Sequence, residues 1–480
     1  MIASIISKRC LPSISFRYNY KCTNATHHRT IATTTTASST PTKPNKRIAV
    51  IGAGFAGVAV SFHLLKLSLL KQQQQQQEHP PIQVDLYDAY SLGAGGSGAA
   101  AGLLHPYSPK GKVLWKGKEA YREAVALVRE AEEAGCPKGR QFVWRRGLLR
   151  AAKTKKQAVD FVKNAGGNAE ARLVYTYEEL KRIVPGIRVV GDLAPEGNTN
   201  ANLHPQQQQQ SWAVGLLAEQ AIVVHPTDYI EAVWRVCEEM AGTQEDGCRV
   251  QIHFNTVVTS LRELQRQHNY DGIIVAAGAA IDSIQETKNL LPLDLCHGHS
   301  VDVGIGADDM EKEKKKYAYP EHAPGLLGSP YISPQGGTRA VVGATQRHAC
   351  SPQEAFLGLS PDRRVLDRNK DREEWNGAVR VLIDEGACTM WDPIREWRVD
   401  AVRTGFRAVP ARTDQGAMPY AGRIDGNENW WVIGGLGARG LVYHAWLGKL
   451  VAAAVWSTCD DDDEQEELFP RELLRWKRNT

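Results

Sequence analysis

The chain has 480 residues, a formal charge of +4, 42% hydrophobic residues and nine cysteines. That length suits two or three domains with a sizeable core. The odd cysteine count without a C-x-x-C pair argues against a disulfide framework or a zinc site, and for a reducing compartment. No run of about eighteen uncharged apolar residues exists, so no membrane span is expected.

Residues 1–47 carry eight Lys or Arg and no acid, and the first acid is Glu78. Those eight cations exceed the formal charge, so the remainder is net acidic. Residues 1–45 are rich in Ser, Thr and Arg and lack the continuous apolar core of a secretory signal. They read as an organellar transit peptide, with a plastid ahead of a mitochondrion, against the plainer reading of a disordered N-terminus.

Arg47 to Leu70 (RIAVIGAGFAGVAVSFHLLKLSLL) follows as a buried strand, a glycine turn and a helix. Gly52, Gly54 and Gly57 fill G-x-G-x-x-G. The first permits the tight turn, the second lets a pyrophosphate approach bare backbone, and the third lets the helix pack against the strand. On its own the motif leaves NAD and FAD open. The next apolar run, PIQVDLYDA, ends at Asp88, the acid expected to meet ribose hydroxyls, with Asp85 as its competitor. Asp88 lies 31 residues after Gly57, where about 20 is usual. Removing QQQQQQEHPP as a loop insertion brings the gap to 21. A second glutamine tract, 206–210, reads as another solvated loop.

Between these tracts, residues 93–106 (GAGGSGAAAGLLHP) form a small-residue segment suited to close approach of an extended cofactor. Residues 138–156 carry a run of Lys and Arg without acids, with Phe142 and Trp144 interleaved, which is either an RNA patch or a solvated face. A third strand, 271–280 (DGIIVAAGAA), and a fourth, Trp430–Gly435, come much later. The fourth opens into GLGARGL and an apolar helix. Strands of one nucleotide fold are therefore spread along the chain, with a second domain inserted between them. The expected division is 46–136, 223–292 and 420–458 for the nucleotide domain, and 137–222 and 293–419 for the substrate domain. Residues 459–480 read as a solvated charged tail.

Taken together, the fingerprint with Asp88, the 93–106 segment, DGIIVAAG, RTGFRAVPARTDQGAMPYAG and GGLGARGL resemble the D-amino-acid oxidase and glycine oxidase group of FAD enzymes. The nearest likeness is the FAD oxidase half of the bacterial bifunctional enzyme that makes methylaminomethyl-thiouridine in tRNA, over roughly 46–455. No counterpart of that enzyme's methyltransferase half is expected, since only the leader precedes Arg47. The resemblance implies an α/β fold: a discontinuous Rossmann-like FAD-binding domain with an inserted α+β substrate domain built on a mixed or antiparallel sheet. FAD rather than NAD also fits a chain that returns to its nucleotide fold at the C-terminus.

The expected FAD contacts are Gly52, Ala53, Gly54, Phe55, Ala56, Gly57, Asp88, Ala100, Ala101, Gly102, Leu103, Val257, Ala277, Gly278, Gly435, Gly437, Gly440 and Leu441. In the group, an amine gives a hydride to the flavin, and a substrate carboxylate needs a permanently charged, bidentate partner. Among Arg398, Arg403, Arg407 and Arg412, the segment Gly405-Phe406-Arg407, followed by Asp414 and Pro419–Gly422, fits the group's pattern. This makes Arg407 the expected clamp. Arg439 and His105 are further candidates at the reacting centre; His297, His299 and His444 are weaker ones, and no general base is assigned. Cys388 sits in no covalent-attachment motif, so the FAD is expected to be noncovalent. No metal ligand set is read.

The expected activity is oxidation of the C–N bond of a small secondary amine or amino acid, with molecular oxygen a candidate acceptor. The alternatives are the carboxymethylaminomethyl group of an organellar tRNA wobble uridine, for which the net acidic chain is poorly suited, and a flavin protein without turnover.

Overall fold

The structure, a computed structural model, describes residues 46–73, 81–136, 138–165, 170–188, 212–242, 247–306, 316–424, 429–457 and 468–479. The leader, most of the first glutamine tract and all of the second lie outside these residues.

A six-stranded sheet positions the nucleotide half. Its order is Tyr420–Arg423, Trp430–Gly434, Gly272–Val275, Lys46–Ile51, Ile82–Tyr87, Arg249–His253. All neighbours pair in parallel except the first two strands, which are antiparallel. The central strands are continuous apolar runs because helices cover both faces. Helix Phe55–Gln73 is buried along most of its length, and Gly440–Trp456 packs on it. A Cβ on Gly448 would lie 2.9 Å from the Val60 nitrogen, so the two helices meet at backbone distance. The first helix runs through Gln72 and Gln73, so the glutamine tract begins as helix rather than as loop.

The second sheet has eight strands in the order Arg398–Pro410, Leu293–Gly304, Arg339–Gly343, Tyr331–Pro334, Gly325–Leu326, Leu148–Ala151, Gly215–Ala218, Arg172–Val174. It is antiparallel except where Gly325–Leu326 runs parallel to Leu148–Ala151. A separate core of Trp391, Trp397, Tyr319 and aliphatic residues backs it. A three-stranded ribbon of Leu103–Leu104, Ile222–Val224 and Val143–Trp144 fastens the 93–106 segment.

Two surface expectations are corrected. The end of the chain is not a solvated tail: Phe469, Leu473 and Trp476 are buried, Phe469 stacks on Trp431, and Arg475 donates to the Met418 and Pro419 carbonyls. Apolar residues at this spacing form one face of a turn structure, which the neighbouring acidic run obscures. Nor is 138–156 an open basic face. Lys138 and Arg140 clasp the buried Asp228, Arg145 pairs with Glu132, and Phe142 and Trp144 are core residues.

Candidate functional site

The site begins where strand Lys46–Ile51 turns into its helix. Gly52 has φ +103°, and a Cβ there would come within 2.5 Å of the Ala276 carbonyl oxygen. A Cβ on Gly57 would lie 1.8 Å from the Gly52 oxygen. Only glycine closes this turn at both places. Asp88 stands just past the end of the neighbouring strand. Its Oδ2 accepts from Ala53 N at 2.8 Å, and Oδ1 accepts from the Tyr90 and Ser91 amides. Burial raises its pKa, against the pull of those three donors. Asp85, the competing acid, instead accepts from the Tyr270 hydroxyl at 2.7 Å and pairs with Arg47, so its role is in the sheet.

From this turn a cavity of about 410 Å³ extends between the two sheets. Gly52, Gly54, Phe55, Ala56 and Asp88 line its nucleotide end, with Val257, Ala277 and Gly278 from neighbouring connections. Ala94–Leu103 forms one wall, and Gly405–Ala408 and Gly435–Leu441, apart from Arg439, complete it. Of the expected cofactor contacts, Ala53 and Gly57 shape the turn without lining the cavity. A long cofactor with a pyrophosphate fits this cradle: glycines hold the turn at backbone distance, and small residues line the wall over many ångströms of chain.

The other end is built on strands Leu293–Gly304 and Arg398–Pro410. Here Gly298 faces Gly405 and Cys296 faces Arg407 across the pairing. The Gly405 Cβ position lies 2.8 Å from the Ala99 Cβ, so the small-residue wall rests directly on this strand. Arg407 reaches back over Gly298 and its Nη2 donates to the Thr345 carbonyl at 2.9 Å. Arg403 on the same face pairs with Asp302 and donates to the Gly98 carbonyl, which holds the wall in place. Arg398 pairs with Asp400 at the surface, and Arg412 is exposed on a hairpin. The structure thus brings Arg407 alone of these four to the cavity.

Arg439 is placed elsewhere than at the reacting centre: it does not line the cavity, and its Nη1 donates to the Ala417 carbonyl, tying down the 412–417 hairpin. His105 does line the cavity. Burial, with Arg150 and Arg439 nearby, pushes its pKa down to about 3, so it is neutral at physiological pH. Its Nδ1 faces the Tyr107 amide at 3.3 Å, which leaves the proton on Nε2. His299 also lines the cavity, with Nδ1 at Thr345 Oγ1 and Nε2 at Glu374 Oε1; His297 Nε2 meets Thr404 Oγ1, each at 2.8 Å. His297, His299 and Glu374 hold donor atoms within 4.8 Å of one another, but these bonds already engage both nitrogens of His299. His444 bonds the Tyr229 hydroxyl in the helical core. Cys388 is buried in the second core and, among the described residues, no cysteine lines the cavity.

Two cavity residues escape sequence reading. Arg150 comes from strand Leu148–Ala151, and Tyr331 from Tyr331–Pro334. Burial moves the Arg150 pKa down to about 10 and that of Tyr331 up to about 12.

Comparison with known proteins agrees with this geometry. The family model described as "DAO: FAD dependent oxidoreductase" matches residues 47–454. Among solved structures, glycine oxidase from Geobacillus kaustophilus aligns at TM-score 0.58 and 19% identity, covering 86% of this chain and 95% of that one. Iminodiacetate oxidase from Chelativorans sp. BNC1 aligns at TM-score 0.55 and 18% identity, covering 85% and 94%. L-proline dehydrogenase from P. horikoshii aligns at TM-score 0.57 and 14% identity, covering 90% and 98%. No curated protein matches the sequence.

Proposed function

The chain belongs to the DAO family of FAD-dependent oxidoreductases, and on that premise we propose that it oxidises the C–N bond of a small, carboxylate-bearing secondary amine or amino acid. One observation carries this reading: the cavity that starts at the Gly52 turn ends at Arg407. Bound FAD supplies a two-electron acceptor: the substrate loses a hydride from the carbon beside nitrogen and a proton from nitrogen, and water hydrolyses the imine to a carbonyl compound and an amine.

The chain's own contribution is binding and orientation. Gly52, Gly54 and the start of the following helix would hold the pyrophosphate, and Asp88 would hold the ribose. Gly435, Gly437, Gly440 and Leu441 would present the ring end. Arg407 would clamp the carboxylate, its guanidinium aimed by Thr345, and thereby fix which C–H faces the acceptor. His105, neutral and buried, adds a polar edge without a charge that would compete with the amine. The three neighbours named above are titled for glycine, iminodiacetate and proline, all small amines with carboxylates, which supports the same substrate class.

The finer likeness, to the oxidase half of the bacterial tRNA-modifying enzyme, would put a carboxymethylaminomethyl uridine in the same place. The engagement of Lys138, Arg140 and Arg145 in ion pairs weighs for the small substrate. Tight tRNA binding that falls steeply with salt would reverse that preference. Molecular oxygen as acceptor and a plastid address belong to the same proposal. The deciding experiment mixes the FAD-loaded protein anaerobically with a panel of amino acids and N-alkyl amino acids. Bleaching of the flavin band, with recovery and peroxide release in air, is expected; a flavin that no amine reduces overturns the proposal.

A further inference from the structure

The charges that line the cavity are unbalanced. Asp88 is the sole carboxylate among them, and its oxygens are engaged by the Ala53, Tyr90 and Ser91 amides at the nucleotide end. The far end carries two guanidinium groups, Arg407 and Arg150. Arg407 has the Thr345 carbonyl as a partner. Arg150 has neither a hydrogen-bond nor a carboxylate partner among the described residues. Its neighbours make the position more costly still: Lys153 is cationic, and His105 is a buried imidazole whose protonation Arg150 itself opposes.

A buried cation without a counter-charge is strongly destabilising unless something repays its desolvation. Nothing in the fold requires a guanidinium here. Strand Leu148–Ala151 is held by backbone pairing on both sides, to Gly215–Ala218 and to Gly325–Leu326, and its leucines supply the packing. Leu148, two residues before Arg150, is fully buried in an apolar cluster, so an apolar residue would serve the strand equally well. The remaining role for the fork is to meet an anion that arrives with the ligand. Tyr331 lies in the same part of the cavity, close enough to Arg407 for that charge to act on its phenol, and its hydroxyl has no partner among the described residues.

We propose that Arg150 is a second anion-recognition residue and that the substrate is a dicarboxylic amine, one carboxylate held by Arg407 and the other by Arg150. This rests on the reading of the cavity as an amine-oxidising site and narrows its substrate class. Arg407 then fixes the end of the molecule nearest the small-residue wall, and Arg150 selects against amines with one carboxylate. The neutral state of His105 keeps the pair of cations from becoming three.

The test uses the FAD-loaded protein and ligands that cannot turn over. Dissociation constants are measured by calorimetry for length-matched pairs: butyrate and succinate, valerate and glutarate, hexanoate and adipate. A charge-assisted contact of this kind predicts that, for at least one length, the dicarboxylate binds on the order of tenfold more tightly than its partner. In Arg150→Gln that preference falls to within about twofold, while monocarboxylate affinity is unchanged and the flavin is retained. Arg150→Lys, which keeps the charge and loses the fork, retains part of the preference and serves if the glutamine variant does not fold. Absence of a preference at every length, its survival in Arg150→Gln, or loss of FAD from either variant each overturns the proposal. Amine reduction of the flavin is scored separately. Turnover without a dicarboxylate preference sinks the Arg150 assignment alone, whereas an Arg150-dependent preference in a protein that no amine reduces sinks the oxidase reading and leaves the anion site.

Discussion

Gly298→Ala tests whether Arg407 is held for carboxylate binding. The Arg407 guanidinium lies over Gly298, and a Cβ there would sit 2.4 Å from Nη2 and 2.4 Å from the Thr345 carbonyl oxygen. Ordinary contact requires roughly 1 Å more on both sides, since carbon contacts are optimal near 3.5–4.0 Å. The Thr345 carbonyl belongs to backbone, fixed by the Thr345 N–H to His299 O bond, so the side chain is the part that moves. Its Nη2 bond to Thr345 would break, and the fork would no longer be pre-aimed. A hydrogen bond to a charged group is worth about 1.5–3 kcal/mol, so carboxylate affinity should fall about 10- to 150-fold. Strain from the added methyl should cost a further ~1–3 kcal/mol of stability. Calorimetric titration of the FAD-loaded variant with short carboxylates measures the first effect and thermal unfolding the second. A folded Gly298→Ala protein with wild-type carboxylate affinity would refute the role given to Arg407.

Other expectations follow from separate parts of the molecule. Gly57→Ala drives a Cβ to 1.8 Å from the Gly52 oxygen, so the purified variant should carry little or no flavin by its absorbance ratio; full FAD occupancy would contradict the account of the turn. Trp476→Ala empties a buried site beneath strand Tyr420–Arg423 and should lower stability by about 3–5 kcal/mol, read by denaturant unfolding. An unchanged midpoint would restore the solvated tail. His63, His105 and His444 each have a folded pKa lowered to about 3 by burial, against 6.5 in their model state. The unfolded chain therefore binds more protons below pH 6.5, and stability is complete above that value and lost as pH falls toward 3. Each contributes a slope of about 1.4 kcal/mol per pH unit in that window. Flat stability between pH 6.5 and 4 would show that these imidazoles are not buried in their neutral form.

What could be read from sequence and what could not divides along a physical line. The Gly52–Gly57 turn, Asp88 and the 93–106 wall are demands on local backbone, so residue type and spacing within a few positions disclose them. The ten-residue excision located Asp88 because a loop insertion leaves the strands around it unaltered. Arg407 was legible for a similar reason, in the local pattern around Gly405, although Gly298, which makes room for it, lies 107 residues earlier and carries no local mark. Arg150 was hidden by its company. Among Arg145, Arg146, Lys153, Lys155 and Lys156 it looks like one more solvated cation, and the contiguous charge suggested a nucleic-acid face. In the strand, Leu149 goes to the core behind the second sheet while Leu148 and Arg150 take the other side, and strand Gly325–Leu326 pairs alongside. That pairing joins segments about 177 positions apart, from Leu148 to Gly325, and no local pattern encodes it. Phe469, Leu473 and Trp476 were masked in the same way by the acidic run before them. Charge clusters in this chain were thus misread whenever their counter-charges or cavities came from distant strands. The one cation for which folding supplies no counter-charge, Arg150, is therefore the residue whose partner has to come from outside the chain.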